Sequence, residues 1–487
     1  MELAAAPLRR AASPRRFAAR FAAPRRRALS YPARMVYDGS VKAASRLAAT
    51  FFLGALAACG RAPTASPTPP SPTPSLAAGE PAQPAEPAEP AEPDAVLWVG
   101  GDVLLSDAMV DFAHFDPDPA QGFARMLEPV ARVWREPGAF VLVNLEMPVA
   151  RTQRHEIHEE ASNPHGLTKV HLSGPAWLPE GLARAGVAGV TLANNHALDQ
   201  DRDGLLETVR AARRAGLVVT GAGVYPEHRW PITLGPPGRE ICVMNFYDSR
   251  GPGAHEPGEV ARSVLDDEAF ALVRAARSHG AAVVAVVHVL GELLDRPEPA
   301  WRSWAERLID AGVSAIVVHG THVVMPVERI RGVPVVWGLG NLVSDMGRMA
   351  RPGDVLDATT SKLRSAAARE SLLLRLTLTP DGAVDLRLLA AWMSQDRVAR
   401  WRYPLPGGDV VHFALRPLSR CSPALALPDW PAPYRHATER WLADRRDHLL
   451  AVSGLAMDPC DPGQIAWLHL PGVEAARPMG ARPPRAP

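Results

Sequence analysis

From Ala95 onward, short apolar runs alternate with amphipathic stretches. Residues 96–99, 140–143, 189–192, 241–246, 281–287, 315–318 and 334–337 are almost wholly apolar, the pattern of strands buried on both faces. Between them, residues 204–215, 266–278 and 300–311 space their apolar positions as helices do. Leu205, Val209 and Ala212 share one helical face, and so do Trp301, Trp304, Leu308 and Ala311. Strands alternating with helices predict an α/β domain with layered sheets. Residues 372–378 and 384–388, joined through Pro380-Asp381-Gly382, predict a hairpin that closes the domain near residue 400. Residues 401–487 are Pro-rich and irregular, with one helix expected over 434–452 and disorder from Gly472 onward.

The N-terminal part breaks this pattern. Residues 1–58 carry eleven Lys and Arg against Glu2 and Asp38; that +9 within a chain of net charge +1 leaves the remainder at −8. The twelve apolar residues 47–58 follow Lys42 and Arg46 and are short for a bilayer span, so they read as a secretory signal. Leu56-Ala57-Ala58-Cys59 resembles the bacterial lipobox. That resemblance implies cleavage before Cys59, a lipid on its sulfur, and a membrane-anchored lipoprotein of the cell envelope. Residues 1–34 make a long leader for such a signal, and Met35 is an alternative start. Residues 61–94, with repeated Ala-Glu-Pro, predict an extended polyproline spacer. The expected order is leader and signal (1–58), anchor and linker (59–94), α/β domain (95–400) and C-terminal extension (401–487).

Composition narrows the classes. With 487 residues, 47% hydrophobic content and four Cys, the chain is neither wholly disordered nor a disulfide mini-protein. The acidic folded part argues against a nucleic-acid partner. Cys242 sits in an apolar strand and reads as core; Cys421 and Cys460 flank the C-terminal helix and are candidates for a disulfide outside the cytoplasm.

The candidate chemistry lies where the apolar runs end. There stand Asp102, Asn144 and Glu146, then Asn194, Asn195 and His196 with Asp199 following. His288 with Glu292, His319 with His322, and Asn341 complete the set. Sites in α/β sheets form outside the carboxyl ends of strands. Carboxylates mixed with imidazoles suit Mn, Fe or Zn, and the lack of clustered Cys argues against a structural zinc site. Singly, each residue has a plainer reading: a turn at Gly101-Asp102, a helix cap at Asn194-Asn195, a core imidazole at His288.

Together these residues resemble the capsule-synthesis CapA-type (poly-gamma-glutamate capsule) family of bacteria, from about Leu97 to about Leu389. The most specific block is TLANNHALDQDRDGLLETVRAARRAGLVVTGAG, residues 191–223, with its doubled Asn before His. Asn144-Leu145-Glu146, His288 with Glu292, and Leu339-Gly340-Asn341 follow in order. The resemblance implies a calcineurin-like metallophosphoesterase fold, two packed β-sheets flanked by helices. It implies a divalent metal centre of two ions on Asp102, Glu146, Asn195, His288, His319 and His322. His196 would act beside them as proton donor, with Asn195. Asn144, Asn194, Glu292 and Asn341 would contact substrate. The chain departs from the family at His288-Val289-Leu290, where His-Trp-Gly is usual, and at Leu104, where calcineurin-type enzymes carry a His.

Two functions follow from the resemblance. One is a metal-dependent hydrolase of a phosphoester or a surface-polymer bond. The other is a non-catalytic assembly protein that holds an anionic polymer beside capsule synthase and export partners. A nucleotide-binding module would rest only on Gly221-Ala222-Gly223, an incomplete phosphate turn.

Overall fold

The computed structural model describes residues 95–149, 172–229, 231–248, 250, 261–350, 362–379, 383–397, 410–419, 432–461 and 464–471. The expected leader, Cys59, the Pro-rich linker, Cys421 and the tail from Gly472 lie outside the described residues.

Strands β1 (Val96–Val103), β2 (Ala139–Leu145), β3 (Gly189–Thr191) and β4 (Val218–Thr220) pair in parallel in a first sheet. Helices α1 (Asp107–Ala113), α2 (Pro119–Trp134), α3 (Leu178–Arg184) and α4 (Asp201–Arg214) connect them. A second sheet holds β5 (Ile232–Leu234), β6 (Ile241–Tyr247), β7 (Ala282–His288), β8 (Ala315–His319), β9 (Val327–Ile330) and β10 (Val333–Val336), in the order β5-β6-β7-β8-β10-β9. Helices α5 (Asp267–Ser278) and α6 (Pro299–Ala311) cross between β6, β7 and β8. The chain then returns to the first sheet. β11 (Asn341–Val343) lies beside β1, and the hairpin β12 (Glu370–Leu378) and β13 (Val384–Gln395) adds to β1's other edge.

The period-2 geometry of β1 explains its unbroken hydrophobicity. Leu97 and Val99 enter a core between the sheets with Val243, Val284, Val286 and Val317. Trp98 and Val103 face the other way, against Phe123, Leu127 and Trp134 of α2 and Leu205 and Val209 of α4. The result is two packed sheets flanked by helices, as the resemblance implies. Among the described residues, no helix is long and apolar enough to cross a membrane.

All seven expected strands and all four expected helices form, with shifted ends. The strand at 96–99 continues through Gly100 and Gly101 to Val103, so Asp102 lies within β1 and not in a turn after it. Its register on β2 shifts between Val99 and Asp102, a bulge where Gly100 and Gly101 oppose Val143 alone. Asn194 and Asn195 do not cap α4, whose N-cap is Gln200. The sheet also does not stop near residue 400. β14 (Phe413–Pro417) pairs with β13, helix α7 (Ala432–Ser453) packs its Trp441, Leu442 and Leu449 into the inter-sheet core, and β15 (Ala456–Met457) pairs with β16 (Leu468–His469), which also joins β13. Cys242 is buried in β6, and Cys460 is disulfide-bonded.

Candidate metal centre

The parallel strands of both sheets end at one edge, and their last residues converge there. Asp102 reaches it because β1 and β11 approach closely: a Cβ on Gly101 would fall 1.9 Å from the Gly340 carbonyl oxygen, so only glycine fits. The fully buried Asp102 carboxylate accepts from Asn144 Nδ2 at 2.7 Å and from the Gly320 amide at 3.1 Å, and its Oδ2 lies 3.3 Å from His322 Nδ1. Gly320 has φ +86°, which brings its amide to Asp102 and its neighbours to the edge. His322 also has a positive φ, 58°, uncommon for a side chain with a Cβ.

Glu146 follows β2. Its Oε1 lies 3.5 Å from His288 Nε2 and 3.7 Å from His322 Nε2, while its buried Oε2 has no hydrogen-bond partner. Ligand atoms of Asp102, Glu146 and His322 all lie within 4.8 Å of one another. Two carboxylate oxygens and an imidazole nitrogen match the preferences of a divalent cation such as Mn, Fe or Zn. The partnerless oxygen is a buried acceptor that such an ion would satisfy. This buried Asp, Glu and His group therefore fits a metal ion.

The ionisation of these groups reflects their crowding. Burial pushes Glu146 well above the usual carboxylate range, and the neighbouring Asp102 adds to it. Burial also opposes the charge of Asp102, but the hydrogen bond from His322 and the surrounding imidazoles outweigh it and hold this carboxyl well below its ordinary value. His322 is raised well above the usual imidazole range: Glu146, Asp102 and Glu292 overcome the effect of burial. His288 is pushed down to about 3, chiefly by burial.

The other expected site residues take different places around the cluster. His288 stands beside the cluster, accepting from Asn144 Nδ2 at 3.2 Å and donating through Nε2 to Asn195 Oδ1 at 2.9 Å. At the solvent edge, His196 Nδ1 lies 2.6 Å from Asp199 Oδ2, and Glu292 Oε1 lies 3.6 Å from His322 Nε2. Asn144, Asn194 and Asn341 are buried, their amides engaged within the protein. Asn194 bonds Leu145 O and Asn144 Oδ1; Asn341 bonds His322 O and Ala368 O, and its Oδ1 lies 3.0 Å from His322 Nδ1. All three expected substrate contacts are thus buried and bonded within the protein. His319 is not brought into the cluster: its Nε2 donates to the Gly100 carbonyl at 3.0 Å. Lys362, which no motif singles out, pairs its Nζ with Glu292 Oε2.

With this geometry in view, comparison with known proteins places the chain. Residues 96–346, just over half of it, match the family described as bacterial capsule synthesis protein PGA_cap. The chain belongs to this family. The PGA_cap segment contains Asp102, Glu146, His288 and His322 and ends before Lys362, and its fold is metallophosphoesterase-like. The chain is 26% identical over 43% of its length to capsule biosynthesis protein CapA of Bacillus anthracis, covering 51% of that protein. It is 30% identical over 32% of its length to a probable polyglutamine synthesis accessory protein of Mycobacterium tuberculosis, covering 44% of it. It is 26% identical over 47% of its length to PGA biosynthesis protein CapA of Bacillus subtilis, covering 58% of it. The chain thus spans about half the length of the curated relatives it matches.

Proposed function

We propose that this chain is a metal-dependent hydrolase of the bacterial cell envelope, acting in capsule or poly-γ-glutamate synthesis on a phosphoester or on a bond of an anionic surface polymer. The observation that carries the reading is the buried Glu146 oxygen without a partner, set beside Asp102 and His322. A buried carboxylate left uncompensated is costly, and a cation removes the cost.

Asp102, Glu146 and His322 would hold the ion, with His288 and Asn195 adjacent. A bound divalent cation supplies Lewis acidity toward an ester oxygen and lowers the pKa of a bound water. Around it the chain's own groups orient the centre. Asn144 ties Asp102 to His288, and Asn341 fixes the His322 ring through Nδ1, leaving Nε2 toward Glu146. His196, with Nδ1 on Asp199, keeps Nε2 for delivering a proton to a leaving oxygen.

The roles named for the relatives support the link to capsule and polyglutamate synthesis. Residues 47–59 support a lipid anchor on Cys59, residues 61–94 a stalk, and synthase or export proteins are the membrane partners in this reading. The disulfide on Cys460 supports an oxidising compartment. A second reading is favoured by Leu104 and by the His319 ring on the Gly100 carbonyl, which leave three close ligands, enough for one ion. In that reading the cleft holds an anionic polymer without cleaving it.

The test loads the full chain with Mn²⁺, removes free metal, and measures bound metal and hydrolysis of a generic phosphodiester. Asp102→Ala and His322→Ala are expected to lose both metal and turnover while keeping wild-type circular dichroism. Metal retained by both variants would exclude this centre. Metal bound by the wild type without turnover on phosphodiester or polyglutamate would replace hydrolysis by the holding role.

A further inference from the structure

Lysine is scarce in this chain: of its 53 Lys and Arg, three are Lys, at positions 42, 169 and 362. Among the described residues there is therefore one Lys, and it stands at the mouth of the metal centre. Lys362 Nζ pairs with Glu292 Oε2, and Oε1 of the same carboxylate lies 3.6 Å from His322 Nε2. The Lys362 side chain is 49% exposed. Its main chain is fixed independently of that pair: Gly347 N donates to the Lys362 carbonyl at 2.7 Å and Met349 N to that of Leu363 at 2.8 Å. The residue lies beyond the family-matched segment, which ends at 346.

The mouth is otherwise acidic. Asp102, Glu146 and Glu292 put three carboxyl groups around His322. An anion arriving there passes the partly exposed Glu292 carboxylate, and a positive charge beside it offsets that repulsion. A half-exposed Lys–Glu pair is weak and exchanges readily, so its ammonium is available to a stronger acceptor. Lys is a point charge on a flexible stem and suits a tetrahedral phosphoryl group.

We propose that Lys362 is the substrate-seating residue of this site: its ammonium leaves Glu292 and takes a phosphoryl oxygen of the substrate held at the Asp102–Glu146–His322 centre. The proposal rests on the reading of that centre as a cation site for an anionic substrate.

The experiment titrates metal-loaded full-length protein with inorganic phosphate, and separately with a γ-linked glutamate oligomer, by calorimetry. In Lys362→Gln, phosphate affinity is expected to fall by about tenfold or more, the effect of losing one charge-assisted hydrogen bond. Lys362→Arg recovers most of it. Bound metal and melting temperature stay at wild-type values in both, which a merely structural ion pair would not separate from anion affinity. Unchanged phosphate affinity in Lys362→Gln, with a wild type that binds metal and phosphate, overturns this proposal and leaves the metal centre standing. A loss confined to the glutamate oligomer also overturns it. A wild type that binds neither metal nor phosphate overturns the functional reading, and this proposal with it.

Discussion

His322 combines a backbone and an electrostatic signature at one position. Its left-handed φ of 58° costs about 1 kcal/mol or more for a residue with a Cβ, and the contacts its Nδ1 makes to the acceptor oxygens of Asp102 and Asn341 hold it there. Its raised pKa and that of Glu146 have a direct consequence for metal binding. Burial raises Glu146 and the surrounding carboxyls raise His322, so protons compete with an ion for both groups to a higher pH than for an ordinary carboxylate or imidazole. Affinity therefore falls as the pH drops and rises as it climbs, by about tenfold per pH unit for each proton displaced. Mn²⁺ titrations from pH 6 to 8, in buffers of different ionisation enthalpy, should show both the slope and the released protons; a flat profile would contradict the assigned ionisation. Asp102, Glu146, His288 and His322 were legible because each lies at or within a few residues of the end of an apolar run, and strand ends are where α/β sheets put chemistry. Which imidazole reaches the acids was not. His288 and His319 are register partners at the ends of β7 and β8, yet bare Gly100 offers a carbonyl that captures His319. Lys362 follows no strand, and its only sequence mark is the rarity of lysine.

At the scale of elements, packing and caps decide what a pattern search finds. α2 carries buried Phe123, Leu127, Val130 and Trp134 at helical spacing, with Pro119 in its first turn and Asp118 accepting from Ala120 N. Pro129 inside it breaks the expected signature, so this helix escaped the sequence reading while α4, α5 and α6 did not. The C-terminal helix α7 was legible, but not its dock. There Arg445 pairs with Glu370 at the start of β12, Arg369 stacks 4.1 Å over the Trp392 ring, and Trp392 meets Trp441 edge-on at 5.9 Å. Burial raises Glu370 despite the opposing charges of Arg445 and Arg369. The ion pair is thus a buried one whose two halves depend on each other. Arg445→Met should cost about 3–5 kcal/mol, because it strands a buried carboxyl. Adding Glu370→Leu should recover most of that loss, because the pair is then replaced by apolar packing. Urea denaturation of the two variants measures both values, and a single variant within about 1 kcal/mol of wild type would show the dock to be solvated.

The molecule as a whole extends past both its family segment and its expected boundary. The PGA_cap match ends at residue 346, yet β12 and β13 add to β1, and β14 and β16 add to β13 in turn. The region after 400 looked irregular because β14 has five residues and β15 and β16 two each, too few to display a period. Its contribution is nonetheless central. Leu418, Trp441, Leu442, Leu449, Leu455 and Leu468 share one buried cluster with Leu97, Val99, Val284 and Val317 from the two sheets. Each large apolar side chain in such a place contributes about 1.5–3 kcal/mol. Losing six of them removes an amount comparable to the roughly 5–15 kcal/mol that separates a folded domain from its unfolded chain. It would also leave β13 as a long apolar edge carrying Leu388, Trp392 and Met393. A chain ended after Arg397 retains every proposed ligand and Lys362, but should aggregate or melt without cooperativity and bind no Mn²⁺. A truncated chain that melts cooperatively within about 5 °C of the full one, a shift worth roughly 3–4 kcal/mol for a domain of about 300 residues or more, would mean that the metal centre stands without the C-terminal layer.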